Sequence, residues 1–221
     1  MHKWIINNDF DTASKTAAEF LAERITESVN KKGVCHVILP GGNTPVKCLK
    51  ILSEMDLPWG KIHWYPGDER VLPAGSLERN DDLLERELWS KIPAGIFHKI
   101  PVEQGAEKAA EIFRNEINDV TIDIAFLGMG EDGHTASLFL GNDALHDDRS
   151  VIPVYNSPKA PDERVSFSIK KLGEAQCRMV LTCGESKSGI IDKVKQGEVL
   201  PVNNIGDIYW FIDEAAAGNK V

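Results

Sequence analysis

The chain has 221 residues and a formal net charge of −9, from 25 Lys and Arg against 34 Asp and Glu. A protein that holds a nucleic-acid backbone by displacing counterions normally carries a basic surface, so this balance argues against a general nucleic-acid binder. Hydrophobic residues make up 42% of the chain and charged residues 27%, which is typical of a globular protein and excludes a disordered or fibrous one.

The predicted elements alternate between helix and strand along the whole chain. Asp11 or Thr12 is expected to cap a first helix, whose apolar residues recur at helical spacing until Gly33. The apolar run 34–39 then predicts a buried strand. Further helices are predicted at 45–55, 82–91, 103–117 and 186–195, and further strands at 62–65, 122–127, 151–155, 164–169, 179–183 and 208–212.

Strands separated by helices of this length imply parallel pairing through right-handed crossovers. The predicted fold is therefore α/β, an open, mostly parallel twisted sheet with helices on both faces. The alternation of Val165, Phe167 and Ile169 indicates a strand with one wetter face, as in an antiparallel or edge position. Because no repeat or flexible linker interrupts the pattern, residues 1–221 are predicted to form one domain, with or without a small inserted subdomain.

The same sequence predicts a cytoplasmic protein. No apolar run approaches the ~20 residues that cross a membrane, and residues 1–10 lack the apolar core of a signal peptide. The four cysteines show no C-x-x-C spacing and are expected to be buried free thiols: Cys35, Cys48, Cys177 and Cys183. The six histidines form no H-E-x-x-H pair, which gives a zinc site little support. Nothing in the sequence requires a metal or an organic cofactor, and none is predicted.

Ligands of open parallel sheets bind at the carboxyl ends of strands, and three polar loops follow predicted strands. The first is L-P-G-G-N-T-P at 39–45. Gly41 and Gly42 allow a tight turn and a close approach to a ligand, while Thr44 is a good N-cap before a proline at the first helical position. The N–H groups of this turn, that of Asn43 included, can bind a phosphate. A plain strand-to-helix turn is the alternative, and the missing G-K-[ST] ending excludes a Walker A loop.

The second loop is G-D-E-R-V at 67–71. Two acids beside one arginine on a surface loop are most often a solvated cluster. Its position after a predicted strand favours a functional interpretation, because Arg70 can make paired hydrogen bonds to an oxyanion or a phosphate that lysine cannot copy.

The third loop is G-M-G-E-D-G-H-T-A-S-L-F at 128–139. It matches G-x-G-x-x-G formally, but Glu131 and Asp132 would crowd a pyrophosphate, and the segment that follows is too short for the usual long helix. His134 is the better candidate, as a general base beside carboxylates, with a structural histidine as the alternative. Ser137 is a weaker nucleophile candidate, because its setting lacks G-x-S-x-G.

Two further segments supply basic groups. The stretch S-P-K-A-P-D-E-R-V at 157–165 ends at Arg164, where the alternating strand begins. The segment G-E-S-K carries Lys187 at the start of a predicted helix, where the helix dipole disfavours a cation. A bound anion would explain that charge, and a simple exposed lysine is the alternative.

Taken together, these motifs resemble those of the 6-phosphogluconolactonase family, in the family's order and over residues 35–217. The segment G-H-T-A-S-L-F is the most specific of them. The resemblance implies an open α/β sheet like those of ribose-5-phosphate isomerase and glucosamine-6-phosphate deaminase. Three residues depart from the family pattern without removing a group that the chemistry needs: Asn43 for serine, Leu140 for proline and Ser188 for alanine.

The resemblance also implies a reaction, the hydrolysis of 6-phospho-D-glucono-1,5-lactone to 6-phospho-D-gluconate in the oxidative pentose phosphate pathway. His134 would take a proton from water while Asp132 or Glu131 orients its ring. Arg70 would face either the developing oxyanion or the phosphate. Phosphate contacts are expected from Gly41, Gly42, Asn43, Thr44, Arg70, Arg164 and Lys187.

Two other functions stay open at this point. Amino-sugar-phosphate isomerases or deaminases share the glycine and D-G-H loops, but they usually continue with I-A-F-N-E-P, and 135–139 lacks that Asn-Glu pair. A non-catalytic sugar-phosphate sensor would want an attached DNA-binding module, for which neither end has room or basic charge. The expected partner is a small phosphosugar lactone, without nucleic acid or membrane, and the expected state is a monomer or a small homo-oligomer.

Overall fold

A computed structural model of the chain describes residues 2–218, which contain ten strands and six α-helices. The strands are β1 (Lys3–Asn7), β2 (Cys35–Leu39), β3 (Ile62–Pro66), β4 (Asp68–Arg70), β5 (Ile96–Phe97), β6 (Ile124–Leu127), β7 (Val151–Val154), β8 (Arg164–Phe167), β9 (Cys177–Leu181) and β10 (Tyr209–Asp213). The helices are α1 (Phe10–Lys32), α2 (Val46–Ser53), α3 (Asn80–Glu87), α4 (Ala106–Glu116), α5 (Ile169–Gly173) and α6 (Ser188–Lys195).

Seven strands form one parallel sheet in the order β1-β10-β9-β6-β2-β3-β5. The sheet separates two hydrophobic cores, because alternate residues of a strand point to opposite faces. In β2, Val37 and Leu39 pack with α1, α2 and α3, whereas Ile38 packs with α4, α5 and α6. The predicted α/β class, with a mostly parallel sheet between helices, is confirmed.

The remaining strands form a three-stranded antiparallel sheet in the order β4-β8-β7. Val165 and Phe167 of β8 belong to the same core as Ile38 of the large sheet. The antiparallel position predicted for this segment is confirmed. The prediction that one face of the strand is exposed to water is wrong, because Arg164 and Ser166 are buried as well. The prediction that residues 1–221 form a single domain stays a prediction.

Some helices and strands begin or end at residues other than those predicted. The cap of α1 is Asp9, whose carboxylate accepts a hydrogen bond from the N–H of Thr12 at 2.7 Å, and not Asp11 or Thr12. Gly33 ends the helix in the left-handed conformation, as predicted. The strand predicted at 164–169 stops at Phe167, since α5 begins two residues later.

Four short elements were not predicted: β1, β4, β5 and α5. They have two to five residues, too few for a periodic pattern to show. All four cysteines are free thiols as predicted, but only Cys35 and Cys48 are buried, while Cys177 and Cys183 are partly exposed. None of the described helices is long and apolar enough to cross a membrane.

Candidate active site

The carboxyl ends of β2, β3 and β6 are neighbours in the sheet, and the loops that follow them surround a cleft of about 350 Å³. Ligand pockets usually have volumes of roughly 300–1,000 Å³. The segment before β8 closes one side. The cleft brings together most of the predicted site residues, namely Gly41, Gly42, Asn43, Thr44, Arg70, His134 and Arg164. It is not lined by Glu131, Asp132 or Lys187.

The glycine-rich loop leads from β2 into α2. The predicted cap was wrong, because the N-cap position is occupied by Pro45 and α2 begins at Val46, without a side-chain cap. Gly42 has a positive φ of 80°, which glycine adopts without strain. Within residues 2–218, no acceptor is found for the backbone N–H groups of Gly42, Asn43 and Thr44. Free N–H groups at a helix start can bind an anion, and phosphate binding by this loop stays a prediction.

His134 and Asp132 form a pair at the edge of the cleft. The Nδ1 atom of His134 lies against Oδ1 of Asp132 in a short hydrogen bond, and the imidazole packs on the Phe139 ring at a centroid distance of 4.6 Å. A Cβ atom at Gly130 would overlap both the imidazole and the Asp132 carboxylate, so this position requires glycine. The structure therefore pairs the histidine with Asp132, whereas Glu131 is exposed to solvent.

Burial lowers the pKa of His134 below its ordinary value, against the opposing hydrogen bond and charge of Asp132. For Asp132 itself, burial opposes ionisation, but the hydrogen bond and charge of His134 outweigh it, so the pKa of Asp132 is lowered. A neutral imidazole beside an ionised carboxylate is thus the expected state near pH 7. That state can accept a proton at the other ring nitrogen.

Lys187 lies at the position before α6 and contacts the loop at 128–139. Its Nζ atom donates a hydrogen bond to the carbonyl oxygen of Met129 at 2.9 Å. Burial lowers the pKa of Lys187, while the nearby charge of Glu131 opposes that effect. The lysine is therefore not the freely exposed side chain of the alternative interpretation.

The loop after β3 is buried, so its interpretation as a solvated cluster is wrong. The Glu69 carboxylate is fully buried and accepts hydrogen bonds from the backbone N–H groups of Arg70, Asn80 and Asp81 at 2.7–2.8 Å. Burial raises the pKa of Glu69 to about 7. Arg70 donates to the carbonyl oxygen of Glu78 and lines the cleft. Glu69 thus holds the start of α3 against the strand that carries Arg70.

Arg164 reaches the cleft but uses most of its donors within the protein. It is 5% exposed and donates to the carbonyl oxygens of Lys159, Ala160 and Pro161 at 2.9–3.2 Å. Burial lowers the pKa of Arg164, against the charge of Asp68. Arg164 therefore orders the segment that carries Lys159 into the cleft.

Four polar residues of the cleft region were not among the predicted site residues: Asp68, Asn80, Thr135 and Lys159. Asp68 and Lys159 lie inside motifs that the sequence had singled out, so a signal existed. No motif pointed to Asn80, because it comes from the start of a separate helix. Ser137 was a weaker nucleophile candidate, and the structure argues against that role, because its side chain is fully buried.

Comparisons with known proteins identify the family that the chain resembles and its fold. The sequence model of glucosamine-6-phosphate isomerases/6-phosphogluconolactonase matches residues 8–210. The chain is 30% identical to 6-phosphogluconolactonase of Synechocystis sp., covering 89% of each chain, and 31% identical to that of Rattus norvegicus, covering 90% of this chain and 86% of the relative.

Solved structures give the same result. The crystal structure of 6-phosphogluconolactonase from Thermotoga maritima superposes with a TM-score of 0.89 at 27% identity, over 96% of this chain and all of that one. A monomeric glucosamine-6-phosphate deaminase has a TM-score of 0.86 at 18% identity, over 99% of this chain and all of the other, which shows a shared fold.

Proposed function

Because the chain belongs to the glucosamine-6-phosphate isomerase/6-phosphogluconolactonase family, we propose that its cleft hydrolyses 6-phospho-D-glucono-1,5-lactone with His134 as the general base. The activity is that of a 6-phosphogluconolactonase, and the product is 6-phospho-D-gluconate of the oxidative pentose phosphate pathway. The observation that carries the proposed mechanism is the His134–Asp132 pair beside a loop with free N–H groups.

The hydrogen bond to Asp132 places a proton on Nδ1 of His134 and leaves the lone pair on Nε2. Among residues 2–218, Nε2 has no hydrogen-bond partner, so it can take a proton from a water molecule in the cleft. A positioned base of this kind contributes a factor of ~10²–10⁴ in rate. The lowered pKa keeps the imidazole neutral, and therefore basic, at neutral pH.

The reaction balances without a covalent intermediate on the protein. The water oxygen forms a bond to the lactone carbonyl carbon while His134 accepts one water proton. The tetrahedral intermediate then breaks its bond to the ring oxygen, and the imidazolium returns the proton to that leaving oxygen. Because a δ-lactone is an activated ester, positioning of water and stabilisation of the oxyanion are sufficient for catalysis.

We propose that the phosphate binds at residues 41–44, because several free N–H groups converge there next to basic side chains. Arg164 contributes positive charge from the lining of the cleft. Lys187 contributes positive charge from outside that lining, where its Nζ donates to the carbonyl oxygen of Met129. Arg70 and Lys159 line the same cleft and supply cations for the oxyanion or the phosphate. Donors aimed at a developing oxyanion contribute roughly 3 kcal/mol each.

A cytoplasmic location is part of the proposal, and the four free cysteines support it, because cysteines stay reduced in that compartment. The substrate is the small phosphosugar lactone. The oligomeric state, a monomer or a small homo-oligomer, and the absence of nucleic-acid binding stay predictions.

The test is acid release from freshly made 6-phosphogluconolactone at pH 7, followed with a pH indicator. We expect the His134→Ala variant to lose a factor of ~10²–10⁴ in kcat. The control is His146→Ala, which changes an exposed histidine in a surface turn and should retain full turnover. Near wild-type turnover in His134→Ala would contradict the mechanism.

The same purified protein decides between the alternatives. Ammonia release from glucosamine 6-phosphate without lactone hydrolysis would favour a deaminase. Binding of phosphogluconate without any turnover would favour a sensor.

A further inference from the structure

Asp68 is a buried carboxylate at the floor of the cleft, and the general-base mechanism does not use it. The residue is 6% exposed and lines the cleft. We infer that Asp68 accepts a hydrogen bond from a sugar hydroxyl of the substrate, and that it makes the enzyme selective for lactones that carry this hydroxyl. The inference rests on the proposed function, because it names the substrate groups that this cleft recognises.

The carboxylate is held in place by two donors. The side-chain amide of Asn80 donates to Oδ1 of Asp68 at 2.9 Å and to its carbonyl oxygen at 2.8 Å. The hydroxyl of Ser137 lies 2.5 Å from Oδ2. Nη1 of Arg164 donates to the Ser137 oxygen at 3.5 Å, so the serine's own proton points to Asp68. Both carboxylate oxygens therefore act as acceptors.

An ionised carboxylate has about four acceptor sites and no donor. Asn80 and Ser137 occupy two of those sites, and Arg164 faces Oδ2 with its Nη1 atom at 3.9 Å, beyond hydrogen-bond distance. The remaining sites are available to a group in the cleft. The substrate offers phosphate oxygens, a lactone carbonyl and hydroxyls. The first two are acceptors and would be repelled by Asp68. Only a hydroxyl can donate to it.

The position of Asp68 selects the hydroxyl next to the lactone carbonyl. Ser137, which contacts Asp68, follows His134 by three residues in the same loop. The negative charge of Asp68 also raises the pKa of His134, although burial of the imidazole has the larger and opposite effect. Because His134 delivers water to the carbonyl carbon and Asp68 lines the same cleft, the hydroxyl on the neighbouring carbon, C2, is the one assigned to Asp68.

The experiment compares 6-phosphogluconolactone with its 2-deoxy analogue, which lacks only that hydroxyl. A charged hydrogen bond of this kind corresponds to about a 10- to 100-fold preference in kcat/KM of the wild-type enzyme. In Asp68→Asn we expect the preference to fall below about 3-fold, mainly through loss of activity on the full substrate. The control is Asp213→Asn, another buried aspartate that bonds to backbone N–H groups away from the cleft and should keep the preference.

Each outcome decides the matter. A wild-type preference below about 3-fold overturns the inference even if Asp68→Asn does not fold. An equal loss of activity on both substrates in Asp68→Asn shows that the residue only supports the structure, and it also overturns the inference. If the wild-type enzyme hydrolyses neither lactone, the proposed function fails, and calorimetric binding of 6-phosphogluconate against its 2-deoxy form then tests Asp68. Equal affinities in that assay overturn the inference.

Discussion

Three histidines away from the cleft form a stack, and the titration of His36 within it should limit stability in acid. Nδ1 of His36 lies 2.9 Å from the Tyr65 hydroxyl, and Nδ1 of His63 lies 2.9 Å from Nε2 of His98. The other nitrogen of His98 contacts the Glu116 carboxylate. The rings of His36 and His63 are 4.5 Å apart, so protonation of one disfavours protonation of the other.

Burial, followed by the positive charges of His63 and Lys32, lowers the pKa of His36 to about 4, while the charge of Asp123 opposes this. In the unfolded chain the pKa of a histidine is about 6.5, so the unfolded state binds more protons between these two values. The stabilisation is therefore complete above pH 6.5 and is lost as the pH falls towards 4. With these two pKa values, the contribution of His36 to the free energy of unfolding falls by about 2 kcal/mol between pH 7 and pH 5.

Because the imidazole of His36 is only partly buried and water screens it, we expect a loss of about 1–2 kcal/mol. The assay is urea unfolding at pH 7 and at pH 5, followed by tryptophan fluorescence, for wild type and His36→Gln. The glutamine keeps a polar group beside Tyr65 but does not titrate, so its stability should fall by about 1–2 kcal/mol less than that of wild type. Subtracting the two proteins cancels other titrating groups, such as Glu69.

The control for this experiment is His146→Gln, which changes an exposed histidine and should follow wild type at both pH values. If His36→Gln loses as much stability as wild type between pH 7 and pH 5, the reasoning from burial of His36 is refuted.

Two further predictions concern the catalytic pair and the base of the cleft. Asp132 raises the pKa of His134, so Asp132→Asn should move the acid limb of the pH profile of kcat/KM to lower pH and reduce turnover at pH 7. An acid limb at the same pH as in wild type would argue against the His134–Asp132 pair. In Glu69→Gln, one carboxylate oxygen becomes an NH₂ group that faces the N–H of Asn80 or Asp81, so the free energy of unfolding in urea at pH 8 should fall by about 1–3 kcal/mol. A fall below about 0.5 kcal/mol would contradict the role of this carboxylate.

Local patterns were sufficient for the parallel α/β architecture and for the expectation that His134 lies beside a carboxylate. Apolar periodicity depends on neighbouring residues, so helices such as α1 and strands such as β2 could be predicted directly. The sequence predicted a carboxylate beside His134 but left Asp132 and Glu131 as alternatives, and the structure pairs the histidine with Asp132. The glycines of the first loop likewise predicted a tight turn before α2, where the N–H groups of residues 42–44 are free.

Tertiary structure decided what depends on distant residues. Asp68 became a candidate because Asn80, Ser137 and Arg164 surround it, and these residues come from a helix start, a loop and a strand far apart in the sequence. The strand β1 forms only because β10, at the other end of the chain, supplies its backbone partners. The D-E-R loop has the composition of a solvated cluster, but Asp68 and Glu69 are buried, and Asp68 lies at the floor of the cleft. The sequence could not show this, because the exposure of a residue depends on tertiary packing and not on its neighbours in sequence.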